Sequence, residues 1–271
     1  MGRELSGKVA LITGAGRMRS IGRPIARRLA EAGADVVLTG SGRPSDRYPD
    51  DEKEVGWRDI ESVADECREH GTKVLPLVSD IRSEQANADL VERVVAGFGR
   101  IDVVVNNAGA ARGDDRVPTT ELPYEVWKNV LVTNLDGTFL LSREVARQLI
   151  KQGYGGSIVN ISSIASKLAG ANAAAYASSK AGINALSRSM ALELAKYKVR
   201  VNAVCPGVID TYRMDDLGRG ERWERTLRSI PLGTAGNGSE CAEMVLFLAS
   251  DRGEWITGQA INVDGGHVWG N

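Results

Sequence analysis

Tyr176 and Lys180 stand four residues apart in Ala173–Leu194, a stretch of good helical character, so both side chains project from one helix face. A phenol with an ordinary pKa of about 10 is a poor proton donor or acceptor at neutral pH, and an adjacent ammonium favours the phenolate. Lowering that pKa by about 3 units corresponds to roughly 4 kcal/mol of differential stabilisation and makes Tyr176 a usable general acid and base. An isolated Tyr-x-x-x-Lys pair is more often two solvated residues on an amphipathic helix, so its weight depends on its company. Ser162 and Ser163 lie shortly upstream.

A second chemical segment runs from Thr13 to Ala26, with Gly14, Gly16 and Gly22 spaced by Arg17, Ser20 and Ile21. A glycine turn feeding a helix lets the backbone approach a pyrophosphate and sets it on the positive helix N-terminus. Pro24 suits a first helical turn, where its missing N–H would be unpaired in any case. In an NAD site, an acidic residue about 20 positions beyond the glycines accepts from the ribose 2′-hydroxyl, whereas an arginine there suits the 2′-phosphate of NADP. Here Ala34–Thr39 runs into Gly40-Ser41-Gly42-Arg43, and no carboxylate closes the run. Ser41, Arg43 and Arg17 could hold a phosphate, so NADP(H) is the expected cofactor, with NAD(H) possible.

The elements that must position these residues follow from periodicity. Short apolar runs at Val9–Ile12, Val36–Leu38, Val74–Val78, Ile101–Val105, Ile158–Ile161, Val199–Val204 and Ala260–Val263 predict strands, and the stretches between them carry apolar residues at helical spacing. Strands apolar on both faces and alternating with helices predict an α/β doubly wound, seven-stranded parallel sheet in one domain. Two segments break the rhythm. Gly40–Gly56 is a long polar loop, and Ile209–Pro231 carries five arginines. In a doubly wound sheet, ligands lie beyond the carboxyl ends of the strands, so the first loop would flank a nucleotide and the second a substrate. The charges of the second nearly cancel, which reads as an exposed amphipathic lid rather than an anion clamp.

Composition narrows the classes. Of the 271 residues, 42% are hydrophobic and 25% charged, as in ordinary soluble globular chains. With 34 Lys+Arg against 35 Asp+Glu, there is no global field to attract nucleic acid or an anionic membrane. Cys67, Cys205 and Cys241 lack metal-ligand spacing and read as buried thiols in a reducing compartment. The N-terminal residues show no signal-peptide stretch, and no apolar run is long enough to span a bilayer, so the expected address is the cytoplasm.

Taken together, these residues resemble the short-chain dehydrogenase/reductase family from Lys8 to Gly266. The resemblance rests on Tyr176-Ala177-Ser178-Ser179-Lys180, Asn106-Asn107-Ala108-Gly109, Asn134, Pro206-Gly207 and Asn262-Val263-Asp264-Gly265-Gly266. It is similar to the 3-oxoacyl-carrier-protein reductase-like and glucose 1-dehydrogenase-like members. The resemblance implies that Tyr176 exchanges the proton of the reacting oxygen, that Ser163 rather than Ser162 hydrogen-bonds that oxygen, and that Lys180 lowers the Tyr176 pKa and binds the nicotinamide ribose. It implies that Asn134 positions a water, that Asp80 and Ile81 flank the adenine, and that Asn106, Asn107, Ala108 and Gly109 pack beside the adenosine ribose. Pro206, Gly207, Val208 and Thr211 would meet the nicotinamide carboxamide. The substrate would be a small carbonyl or alcohol compound, and the assembly a homotetramer or homodimer.

The glycine turn departs from the family pattern. It is two residues longer than usual, and Ser20 replaces the middle glycine. A similar Ser-Ile turn occurs in enoyl-acyl-carrier reductases, but their catalytic tyrosine spacing differs, so ketone–alcohol chemistry is expected. The rival is a dinucleotide-binding sensor without turnover, which would have no need for Asn134, Ser163, Tyr176 and Lys180 together.

Overall fold

The computed structural model describes residues 3–268. It places β1 (Val9–Thr13), β2 (Asp35–Gly40), β3 (Val74–Val78), β4 (Val103–Asn106), β5 (Gly156–Ile161), β6 (Val199–Pro206) and β7 (Ala260–Val263) in one sheet. The strands pair in parallel in the order β3-β2-β1-β4-β5-β6-β7. Between them run α1 (Gly22–Glu31), α2 (Asp50–Glu54), α3 (Ile60–Arg68), α4 (Glu84–Phe98), α5 (Tyr124–Leu131), α6 (Gly137–Gln152), α7 (Ala174–Leu194), α8 (Glu221–Arg228) and α9 (Ser239–Ala249).

All of β1 is buried because alternate side chains enter two different layers. Ala10 and Ile12 pack with Ile25 and Leu29 of α1, Val63 of α3 and Val245 and Leu246 of α9. Val9 and Leu11 pack with Leu90 and Val94 of α4, Leu141 and Val145 of α6 and Met190 of α7. Helices therefore cover both faces, the doubly wound arrangement that the uninterrupted apolar strands required. The chain leaves the centre at β1, winds outward to β3 and returns beside β1 at β4, which opens a crevice at the carboxyl ends of β1 and β4.

The predicted strand at Ile101–Val105 is corrected at its start. β4 begins at Val103, because the Ile101 N–H and C=O are both taken by the Gln152 side chain, at 2.9 and 2.7 Å. The segment after β2 is also not an open loop. It forms a short turn at Ser45–Arg47 and then α2, whose Glu52 is only 1% exposed. Ile209–Pro231 likewise folds into a turn at Tyr212–Leu217 and α8, which buries Trp223. Cys67, Cys205 and Cys241 are free and buried, and burial pushes the Cys67 and Cys241 thiols up to about 12. No helix among the described residues is long and apolar enough to cross a membrane.

Candidate active site

α7 presents Tyr176 and Lys180 one turn apart, and Ser163 arrives from the end of β5. Ser163 Oγ accepts from the Ala165 N–H at 3.1 Å and lies within hydrogen-bonding reach of the Tyr176 hydroxyl. Ser162 Oγ instead donates to the Lys180 carbonyl at 3.0 Å and joins α7 to the sheet. Of the pair, only Ser163 is among the groups that act on the Tyr176 phenol.

Lys180 is buried, with Nζ donating to the Ile161 carbonyl at 2.8 Å and lying 5.7 Å from the centre of the Tyr176 ring. Burial pushes its ammonium below the ordinary value; Tyr176 opposes that shift and Arg213 adds to it. Burial alone would push the Tyr176 phenol up. Lys180, then Arg213, the Ser163 hydrogen bond and Arg116 outweigh burial and hold the phenol below its ordinary value.

Asn134 sits in a π-helical turn, Val132–Asp136, between α5 and α6. Such widened turns recur at functional sites because they re-aim backbone and side chains. Its Oδ1 accepts from the Ala110 N–H at 2.8 Å, and its Nδ2 donates to Ser179 Oγ at 2.9 Å. The segment after β4 is thereby tied to α7 beside Lys180.

The nucleotide side starts from Thr13, whose Oγ1 accepts from the N–H groups of Asn107 and Ala108, both at 3.0 Å. Asn107 Nδ2 returns bonds to the Thr13 and Gly14 carbonyls, both at 2.9 Å. Gly14 has a positive φ of 65°, and a Cβ there would lie 2.7 Å from Ala108 Cα, so the two turns touch only because the residue is glycine. Ser20 Oγ donates to the Arg17 carbonyl and accepts from the Arg23 N–H, which shapes the lengthened turn. No side chain caps α1, and the Ile21 and Gly22 N–H groups have no protein partner among the described residues. These are donors at a helix N-terminus, the chemistry that holds a phosphate.

Ile81 packs against Gly137, and Gly109 lies against Asn134 Oδ1. Pro206 ends β6, the Gly207 N–H donates to the Val263 carbonyl at 2.9 Å, the Val208 carbonyl accepts from Gly236, and Thr211 is buried. Asp80 is exposed and held by Arg82, which keeps its carboxyl below the usual range.

Three expectations change at this end of the sheet. Asn106 does not line the crevice; it is buried, donating to Ser142 and Asn160 at 2.8 and 2.7 Å. Arg17 and Arg43 already face carboxylates. Both reach Glu52, at 3.6 and 3.0 Å, and Arg43 lies 3.6 Å from Asp59. Ser41 remains exposed at the end of β2.

The residues that sequence reasoning missed come from α2 and the turn after it. Glu52 Oε1 accepts from the Met18 N–H at 2.8 Å, and the Trp57 indole donates to the Gly16 carbonyl at 2.7 Å. A Cβ at Gly16 would overlap Asp59 Oδ1, and one at Gly40 would lie 3.7 Å from Asp59 Oδ2, so this carboxylate stands between the glycine turn and the end of β2. Burial pushes the Asp59 carboxyl above its ordinary range; Arg43 opposes this and Glu52 adds to it. The only available sign was the density of acidic residues and the lone Trp57 in an otherwise polar stretch. The lining fits a nicotinamide dinucleotide: unpaired turn amides, a carboxylate at the end of β2, and a buried Arg43 Nη1 with no hydrogen-bond partner.

Known proteins resemble this chain in sequence and in fold. The family model described as Enoyl-(Acyl carrier protein) reductase matches residues 14–267. A 3-oxoacyl-[acyl-carrier-protein] reductase of Thermotoga maritima is 39% identical over 265 residues, covering 98% of this chain and 99% of its own. An L-rhamnose 1-dehydrogenase (NAD(P)(+)) of Azotobacter vinelandii is 36% identical over 260 residues, covering 96% of each. Among solved structures, a short-chain type dehydrogenase/reductase from Mycobacterium marinum superposes with a TM-score of 0.83 at 32% identity, covering 99% of this chain and 98% of that one. The chain belongs to the short-chain dehydrogenase/reductase family of oxidoreductases.

Proposed function

We propose that this chain interconverts a ketone and a secondary alcohol with a nicotinamide cofactor, Tyr176 serving as acid and base. The observation that carries this reading is the buried Lys180 beside a Tyr176 phenol held below its ordinary pKa, with Ser163 in reach. In reduction, Tyr176 gives its proton to the carbonyl oxygen while Ser163 hydrogen-bonds that oxygen; in oxidation, the phenolate takes the alcohol proton back. Lys180 stabilises the phenolate, and Asn134 fixes the neighbouring backbone so that α7 keeps its distance from the segment after β4. The cofactor, when bound, supplies or accepts the hydride. A sensor without turnover would not need the four groups to converge, and their convergence favours the enzyme.

The chain is read as one dinucleotide-binding domain with segment 209–231 over the substrate. Gly14, Gly16, Ile21 and Gly22 would meet the pyrophosphate, and Asp59 and Arg43 the adenosine ribose. Against the expectation from the sequence, this reading favours NAD(H). Arg17 and Arg43 are balanced by Glu52 and Asp59, so a neutral ribose diol suits the pocket better than a doubly charged 2′-phosphate. The test is the absorbance change of NADH and NADPH on mixing wild-type protein with a panel of ketones, diketones and secondary alcohols. Absence of turnover across the panel with either cofactor, despite cofactor binding, would turn the assignment to the sensor.

A further inference from the structure

Two arginines from segments about a hundred residues apart meet at Tyr176, and a third, Arg112, joins those two segments. Arg116 places its guanidinium carbon 4.6 Å from the centre of the Tyr176 ring, and Arg213 places its own at 5.7 Å. Arg213 comes from the Tyr212–Leu217 turn and donates to the Ala110 carbonyl at 2.7 Å, which points it inward. Arg112 joins the same two segments, with Nη1 3.6 Å from Met214 Sδ and Nη2 3.1 Å from Asp216. Two of the other four arginines of 209–231 point elsewhere: Arg219 pairs with Asp210 and stacks on Trp223, and Arg228 lies beside Glu224. Arg219 and Arg228 thus pair on the exposed side of the segment, whereas Arg213 turns inward.

The local charges do not close. Asp115 Oδ2 lies 3.5 Å from Arg116 Nε, while its Oδ1 accepts from the Gly113 N–H at 3.2 Å. Asp216, half exposed, answers Arg112, and among the described residues no carboxylate lies within ion-pair distance of Arg213. Counting Lys180, four cations face two carboxylates. The Arg112 Nε is buried with no hydrogen-bond partner, and the buried Arg116 Nε meets Asp115 Oδ2 at ion-pair distance without forming a hydrogen bond. Burial pushes the Arg116 guanidinium below its ordinary value; Asp115 opposes this, while Arg112 and Arg213 add to it. Desolvated guanidinium donors without acceptors are costly, and a planar or tetrahedral oxyanion satisfies several at once.

We infer that Arg112, Arg116 and Arg213 form an anion clamp beside the reacting oxygen, and that the substrate is a ketone or secondary alcohol bearing a carboxylate or phosphate a few bonds from that oxygen. This rests on the Tyr176 reading above and adds the substrate class. The clamp would orient the substrate, leaving hydride transfer and the Tyr176 proton unchanged.

The test uses matched pairs: acetoacetate and methyl acetoacetate, levulinate and methyl levulinate, dihydroxyacetone phosphate and dihydroxyacetone. For wild-type protein, kcat/KM should favour the charged member of at least one pair by about tenfold to a hundredfold, the carboxylate and phosphate pairs separating the two sources. In Arg213→Gln and Arg116→Gln that ratio should fall toward one. A ratio near one for every wild-type pair overturns the clamp and leaves the oxidoreductase reading standing. A ratio unchanged by both substitutions also overturns it, because arginines that only tuned the Tyr176 phenol would alter both members of a pair alike. Calorimetric titration of the charged members into Tyr176→Phe protein saturated with NADH separates the readings if wild type turns over nothing. Binding that Arg213→Gln abolishes would keep the clamp and overturn the oxidoreductase reading, and no binding would overturn both.

Discussion

The Trp57 indole N–H donates to the Gly16 carbonyl at 2.7 Å and fastens the segment between β2 and α3 onto the glycine turn. Next to it, Asp59 holds a positive φ of 54°, a conformation that non-glycine residues rarely keep without a reason. In the proposed reading its carboxylate, which lies near Gly16 and Gly40, takes the place of the acidic residue that β2 lacks. Asp59→Asn should therefore move the kcat/KM ratio toward NADP(H) by about tenfold, since one charge facing the 2′-phosphate is removed. Steady-state kinetics with both cofactors decide it; an unchanged ratio would place cofactor choice elsewhere.

Glu52 is buried beneath two arginines and the Met18 N–H. Glu52→Ala leaves Arg43 and Arg17 short of their partner and Met18 without its acceptor. Urea unfolding should show a loss of about 3 kcal/mol or more, as for other broken buried ion pairs. A loss below about 1 kcal/mol would mean that the segment closes over the turn without Glu52.

Tyr176→Phe keeps the ring between Lys180 and the arginines and removes the transferable proton. Turnover should fall by about a hundredfold to ten-thousandfold, while fluorescence titration with NADH gives near wild-type affinity. A variant keeping more than a tenth of the wild-type rate would exclude Tyr176 as acid and base.

Alcohol oxidation needs the phenolate and carbonyl reduction the phenol. With the Tyr176 pKa held below its ordinary value, oxidation should rise with pH through an inflection below about 10, and reduction should fall through the same one. Because Arg116 is among the cations that hold it down, Arg116→Gln should move the inflection upward in both directions of reaction. A pH profile unmoved by that substitution would remove Arg116 from the electrostatics of the phenol.

Lys180→Ala removes the largest cation acting on the phenol and leaves the Ile161 carbonyl without its donor. Both turnover and nicotinamide cofactor affinity should drop. Wild-type affinity with a modest rate loss would show that Lys180 acts on Tyr176 alone.

The sequence by itself determined the sheet and the catalytic pair. Runs such as Val9–Ile12 and Val36–Leu38 are apolar on both faces, as strands covered on both sides must be, and the one-face placement of residues four apart, as Tyr176 and Lys180 are, is a property of any helix. The choice of Ser163 over Ser162 comes from the family resemblance, since the two adjacent serines stand at nearly the same distance along the chain from Tyr176. What the tertiary structure alone decided is where long charged side chains point. By sequence alone Arg17 and Arg43 look like phosphate donors beside a long polar loop; Glu52 and Asp59 reach them only because the segment with α2 folds back onto the glycine turn. Arg213 was one of five arginines in a charge-balanced stretch, and only the turn at Tyr212–Leu217 separates it from the rest and aims it at Tyr176. Strand and helix periodicity is a local property of the chain, whereas the pairing of mobile charged groups depends on contacts between segments far apart in it, and no spacing rule encodes those.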